Sequence, residues 1–161
     1  MTGLLPGYIS DVPDDFGYWF SGLADGEGSF NIGVHKDKVS CTFHIAFRID
    51  DLPTLEIIRS TLRIGNIFFE NPRCCHSRKN NPSARWVVQA AKESVVLVQL
   101  FRRFPLRSKK RYDFGIWAEA VEFLAAHRAY GNRWVKSGFK PSRNLALVKL
   151  KTALETGRQF R

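Results

Sequence analysis

The stretch Phe20-Ser21-Gly22-Leu23-Ala24-Asp25-Gly26-Glu27-Gly28 closes the first helical pattern of the chain and decides how the rest is read. Gly22 and Gly26 are four residues apart, so on a helix they share one face. Two positions without side chains let another backbone come close, although a glycine in a helix interior costs about 1 kcal/mol relative to alanine. Glu27 follows at the lower end of the helix. Two copies of such a helix meeting about a two-fold axis bring two Glu27 carboxylates together, and paired carboxylates suit a hard divalent cation such as Mg2+. The residues alone equally allow a plain helix C-cap carrying an exposed acid.

Working outward, Pro13-Asp14-Asp15 starts that helix, with an Asp able to cap its free N–H groups and acids matching the positive end of its dipole. Gly26 and Gly28 end it, since glycine tolerates the backbone geometry that stops a helix. Ser29–Val34 is a short strand. Val39–Ile49 alternates, with Cys41, Phe43, Ile45, Phe47 and Ile49 on one face and Ser40, Thr42, His44, Ala46 and Arg48 on the other, which marks a strand with one buried face. Lys36-Asp37-Lys38 joins the two as a hairpin. Asp50-Asp51-Leu52-Pro53 restarts a helix, Leu55, Ile58 and Leu62 line its core face, and Gly65 stops it.

A second hairpin follows in Ile67–Glu70 and Arg85–Gln89, separated by a polar, basic loop over Asn71–Ala84. Glu93–Phe104 and Tyr112–Arg128 have helical spacing and are separated by Pro105-Leu106-Arg107-Ser108-Lys109-Lys110-Arg111. A basic, aromatic connector (Tyr130–Arg143) leads to a last amphipathic helix, Asn144–Thr156. The expected organisation is an arm over 1–12, a core over 13–128, and a connector plus C-terminal helix over 129–161 packed on the same domain.

Phe20–Gly28, followed by Ser29-Phe30, resembles the signature of LAGLIDADG homing endonucleases. It matches directly at Gly22, Leu23, Asp25 and Gly28, conservatively at Phe20, Ser21, Gly26 and Glu27, and loosely at Ala24. The order αββαββα extends the resemblance over roughly residues 13–125. It implies an α+β fold whose antiparallel sheet forms a DNA-binding saddle with helices on its other face. By that resemblance Glu27 is the metal-binding catalytic carboxylate and Gly26 offers its carbonyl to the same Mg2+. Asp25 serves the helix end. A lysine of Pro105–Lys110 approaches the scissile phosphate, Lys109 first and Lys110 in reserve. Phe20, Gly22, Leu23 and Gly26 form the dimer contact. The motif occurs once, and single-motif members dimerise, so a homodimer acting on a roughly palindromic site is expected. Asp50 and Asp51, just after the second strand, stand where relatives place an amide or a base, and read as helix caps.

The saddle face then comprises Asn31, His35, Thr42, His44, Arg48, Glu70, Arg85 and Gln89, set against base edges in the major groove. Arg73, Arg78 and Lys79 of the loop, and Arg128, Arg133, Lys136, Lys140 and Arg143 at and beyond the connector, contact phosphates.

Charge agrees with a polyanion partner. The net charge is +10, yet residues 1–35 hold five acids and no Lys or Arg, so the remainder carries an excess of +15. Cys74 and Cys75 are adjacent, a spacing that cannot chelate one zinc, and Cys41 falls in a strand, so the three thiols read as free. No apolar run approaches about eighteen residues, which excludes a transmembrane helix. The N-terminal stretch has neither a basic n-region nor scattered arginines, so no import signal is expected. The expectation is an intracellular protein, encoded in a mitochondrion or chloroplast or acting in a microbial cytoplasm. The activity implied is Mg2+-dependent, site-specific cleavage of double-stranded DNA that promotes intron mobility. A maturase that binds intron RNA, or a non-cleaving DNA-binding protein, is the alternative on the same fold.

Overall fold

The computed structural model describes residues 8–35, 38–70, 82–128 and 145–159. Helix α1 (Asp14–Glu27) is followed by strands β1 (Ser29–His35) and β2 (Lys38–Arg48), helix α2 (Leu52–Leu62), strands β3 (Asn66–Glu70) and β4 (Ser83–Val88), and helices α3 (Ala91–Arg103), α4 (Lys110–Arg128) and α5 (Leu145–Gln159). The four strands form one antiparallel sheet in the order β1-β2-β4-β3. The class is α+β with the order αββαββα, as expected, and among the described residues two further helices follow. The second hairpin is shifted from its sequence-based bounds: Ser83 and Ala84 enter β4, and Gln89 falls just beyond it.

Period-two alternation sorts the sheet into two faces. Phe30, Ile32, Val39, Cys41, Phe43, Ile45, Ala84, Trp86 and Val88 are buried on the helix side. The core there is strongly aromatic. Phe20 of α1 stacks on Phe101 of α3 with centroids 5.5 Å apart, and meets Trp86 and Phe43 edge-on at 5.9 and 6.5 Å. Phe30 continues the cluster to Trp117 of α4 at 5.4 Å. One set of rings therefore ties α1, α3 and α4 to the sheet, in stacked, tilted and edge-to-face geometries. Polar pins reinforce it: the Ser21 hydroxyl donates to the Phe104 carbonyl at 2.6 Å, and Trp86 Nε1 donates to the Ile64 carbonyl at 3.0 Å.

Phe20 corrects an expectation. The resemblance places it on the dimer face with Gly22, but it is wholly buried. Two residues on a helix are separated by about 200°, so Phe20 and Gly22 point to opposite sides of α1. Gly17, Phe20, Ser21 and Ala24 form its inward stripe. Leu23, at the border, is partly buried against the core.

The helix ends also differ in cause. At α1 the Asp15 carboxylate accepts the free first-turn N–H of Phe16 at 2.8 Å, as expected of an Asp at this helix start, whereas at α2 Asp51 makes no side-chain capping bond. Asp14 instead binds Arg103 at 2.6 Å, which also donates to the Ile9 carbonyl. That contact, with Val12 buried in the core, docks the end of the expected arm on α3. Gly28 has φ −68°, so it is no left-handed terminator. A Cβ there would lie 2.6 Å from the Ala24 carbonyl oxygen and 2.9 Å from the Phe43 ring, so close packing is what needs glycine. Helix α2 stops at Arg63 in the left-handed region, and Gly65, at φ +72°, packs under the Trp86 indole. Helix α5 buries Leu147 and Leu154 and lies against α4 and β1.

These contacts separate two glycines by sign. Gly28→Ala should destabilise the fold by about 1–3 kcal/mol through overpacking. Gly115→Ala, in α4 where a Cβ meets nothing within 4 Å, should stabilise it by about 0.5–1 kcal/mol. Urea unfolding measures both, and equal shifts would contradict the packing described.

Candidate active site at the end of the first helix

The C-terminal end of α1 carries carbonyls with no partner in the next turn, and the helix dipole makes this end negative. Gly26 and Glu27 lie there, both exposed. The segment joining α3 to α4 comes up against them from more than eighty residues away. Asp25 holds it: one carboxylate oxygen accepts the Arg107 N–H at 2.7 Å, and the other accepts the Ser108 N–H at 3.1 Å and the Ser108 hydroxyl at 2.7 Å. Ser108 Oγ in turn accepts the Lys110 N–H at 3.1 Å, which starts α4. Asp25 therefore serves the helix end as expected, and does so by clamping the basic segment onto it.

The clamp delivers Lys110. Its ammonium donates to the Gly26 carbonyl at 2.6 Å and to the Ala24 carbonyl at 3.4 Å. Burial lowers the pKa of this ammonium from its ordinary value, while Glu27, Asp25 and the buried Asp113 oppose that shift. Lys109, first choice from the sequence, is exposed beside it. Both lysines line an open cleft of about 460 Å³ with Asp25, Ser108 and Asp113.

Gly26 and Glu27 present a carbonyl and a carboxylate, hard oxygen donors of the kind Mg2+ takes. A cation already rests on that carbonyl in the form of the Lys110 ammonium, so the position attracts positive charge. Among the described residues no three His, Cys, Asp or Glu side chains cluster as a metal site. The two donors fit part of the oxygen shell of such a cation.

Gly22 and Gly26 are exposed, and a Cβ on either would meet nothing within 4 Å. Packing among the described residues does not require these glycines. Tyr18 and Trp19, 59% and 41% exposed, continue the same outward side of α1.

On the sheet face away from the core cluster, register aligns Asn31 with Thr42, His44 with Val87, and Arg48 with Ser83. Arg85 and Glu70 share that face and form an ion pair, and Arg48 pairs with Asp50 at 2.9 Å. Asp50 is thus the partner of a saddle arginine rather than a helix cap. His35 ends β1 opposite Lys38, and Gln89 is exposed past β4. Arg73, Arg78 and Lys79, and Arg133, Lys136, Lys140 and Arg143, lie outside the described residues, as do Cys74 and Cys75. Arg128 closes α4.

Residues 20–121, more than half of the chain, match the LAGLIDADG endonuclease family. The chain belongs to that family. Among its relatives it is 30% identical over 122 residues to an uncharacterized mitochondrial protein, RF1, of Saccharomyces cerevisiae, covering 74% of this chain and 24% of that protein. It is 25% identical to a probable intron-encoded endonuclease, Cox1-I1b, of Schizosaccharomyces pombe, covering 73% of this chain and 30% of that one. The LAGLIDADG meganuclease I-AabMI, solved bound to uncleaved DNA, superposes with a TM-score of 0.65 at 29% identity, over 88% of this chain and 45% of its own. The chain thus spans less than a third of the length of these two curated relatives.

Sequence reasoning did not assign Ser108 or Asp113 to the site of this LAGLIDADG chain. Ser108 carried a readable signal, a serine two residues before a helix, which is a cap signature. The pairing of Asp25 with Ser108 carried none, because it depends on two distant segments meeting. Asp25→Ala should release the clamp. The amide hydrogens of Arg107 and Ser108 are then expected to exchange roughly 10–100 times faster, the loss of a hydrogen bond to a charged group, while amides of β2 keep wild-type rates. Unchanged exchange at Arg107 and Ser108 would refute the clamp.

Proposed function

We propose that this unit acts as a site-specific endonuclease on double-stranded DNA, as two copies joined along α1. The observation that carries the reading is the convergence of Gly26, Glu27 and Lys110 at an open helix end whose glycine face needs no partner within the protomer. Two such helices meeting through Gly22 and Gly26 bring two Glu27 carboxylates to one axis, beside a sheet face bearing Arg48, Arg85, Asn31 and His44. The names of the two relatives, one mitochondrial and one intron-encoded, support an origin in an organellar intron. Among the described residues no helix is long and apolar enough to cross a membrane.

Glu27 and the Gly26 carbonyl would hold Mg2+, which supplies Lewis-acid polarisation of the scissile phosphate and its attacking water. Lys110, and Lys109 beside it, place positive charge where the phosphate becomes more negative as water bonds to phosphorus and the strand's P–O bond breaks. The Lys110 ammonium, which bonds the Gly26 carbonyl, would then be free to hold its positive charge toward the phosphate. Asp25 and Ser108 do not touch substrate; they fix where the lysines start. On the sheet face, Arg85 and Arg48 exchange their carboxylate partners for DNA, and phosphate contacts make binding fall steeply with salt.

One pair of variants tests both halves of the reading. Glu27→Gln should keep DNA binding and the dimer, and should lower Mg2+-dependent cleavage by at least about a hundredfold. Gly22→Glu should sediment as a protomer with unchanged circular dichroism and lose double-strand cleavage. Cleavage by Glu27→Gln at the wild-type rate, or a Gly22→Glu dimer that still cuts, would contradict it. Retention of intron RNA over DNA in gel shifts, with no nicking, would favour the RNA-splicing alternative instead.

A further inference from the structure

Strand β3 places a large aromatic side chain on the polar face of the sheet. Register sets Phe68 opposite Arg85 of β4, and Arg85 opposite Ala46 of β2, so the three form one row across the sheet. Phe68 is 54% exposed. Its neighbours Ile67 and Phe69 point to the other face, opposite Trp86 and Ala84. Singly exposed apolar residues are ordinary on protein surfaces. What makes this one informative is its row: it stands beside an arginine that is oriented by an ion pair to Glu70, two residues along β3 on the same face. Ala46, small and exposed, leaves the space beside Arg85 open.

In the major groove an arginine on guanine is the commonest specific contact, and the thymine C5 methyl is the apolar group that a base pair presents there. A ring beside such an arginine has one natural complement among base edges. We propose that Phe68 reads the C5 methyl of a thymine in each half-site, next to the base contacted by Arg85. The inference rests on the DNA-binding reading above and adds a specificity residue to it. Because strands in a sheet are about 4.8 Å apart, the thymine lies within about two base pairs of the base that Arg85 reads.

The test starts from duplexes that the wild-type protein itself captures from a randomised library. Each thymine of the selected duplex is then replaced singly by uracil, which removes only the methyl group. Wild type should bind one substituted duplex per half-site about three- to fivefold more weakly, the effect of one methyl group. Phe68→Ala should bind the thymine and uracil forms of that duplex equally, while Arg85→Ala should keep the distinction. Phe68→Leu, which retains an apolar side chain, should restore part of it. If no duplex is enriched, the DNA-binding reading itself fails. If duplexes are enriched but every uracil replacement affects wild type and Phe68→Ala alike, the DNA reading stands and the assignment of Phe68 is overturned.

Discussion

The burial of Phe20 is the constraint on which the arrangement turns. Its ring is held between Phe101, Phe43 and Trp86, so α1 cannot rotate about its axis without opening a cavity in this aromatic cluster of the core. Replacing such a ring by alanine costs about 3–5 kcal/mol, a large share of the roughly 5–15 kcal/mol that holds a domain together. Fixing the rotation of α1 fixes everything on it. Gly22 and Gly26 are turned outward, and the Gly26 carbonyl and the Glu27 side chain are left at the exposed end. The inward stripe that makes the fold and the outward stripe proposed for the dimer are two sides of one helix.

A second, electrostatic constraint completes the site. The negative end of α1 would repel a phosphate if left alone. Lys110 supplies positive charge there, and its partly buried ammonium is kept by the carbonyls of Ala24 and Gly26 with Glu27, Asp25 and Asp113 nearby. Asp25 makes this possible with three hydrogen bonds to residues 107 and 108. The Lys110 ammonium rests on the Gly26 carbonyl, the same oxygen proposed above as a metal ligand.

The sequence made much of this legible, for local reasons. Strict alternation from Val39 to Ile49 predicted β2 and sorted its faces correctly, because period two is a local property of the backbone. The motif named the helix end. What escaped was set by meetings between distant segments. The reason for Gly28 is the Phe43 ring, fifteen residues on, rather than its own backbone angles. The choice between Lys109 and Lys110 depends on where α4 starts, and that depends on Asp25. Phe20 and Gly22 share the motif yet face opposite ways, because a helix turns about 100° per residue.

The metal site proposed at the end of α1 is formed by Gly26 and Glu27. Its most direct test is a crystal of the protein with captured DNA and Mn2+, located by anomalous scattering. The expected result is a metal peak within coordination distance of both the Gly26 carbonyl oxygen and a Glu27 carboxylate oxygen, with the Lys110 ammonium moved off the Gly26 carbonyl. A metal peak on other residues, with Lys110 still bonded to Gly26, would contradict it.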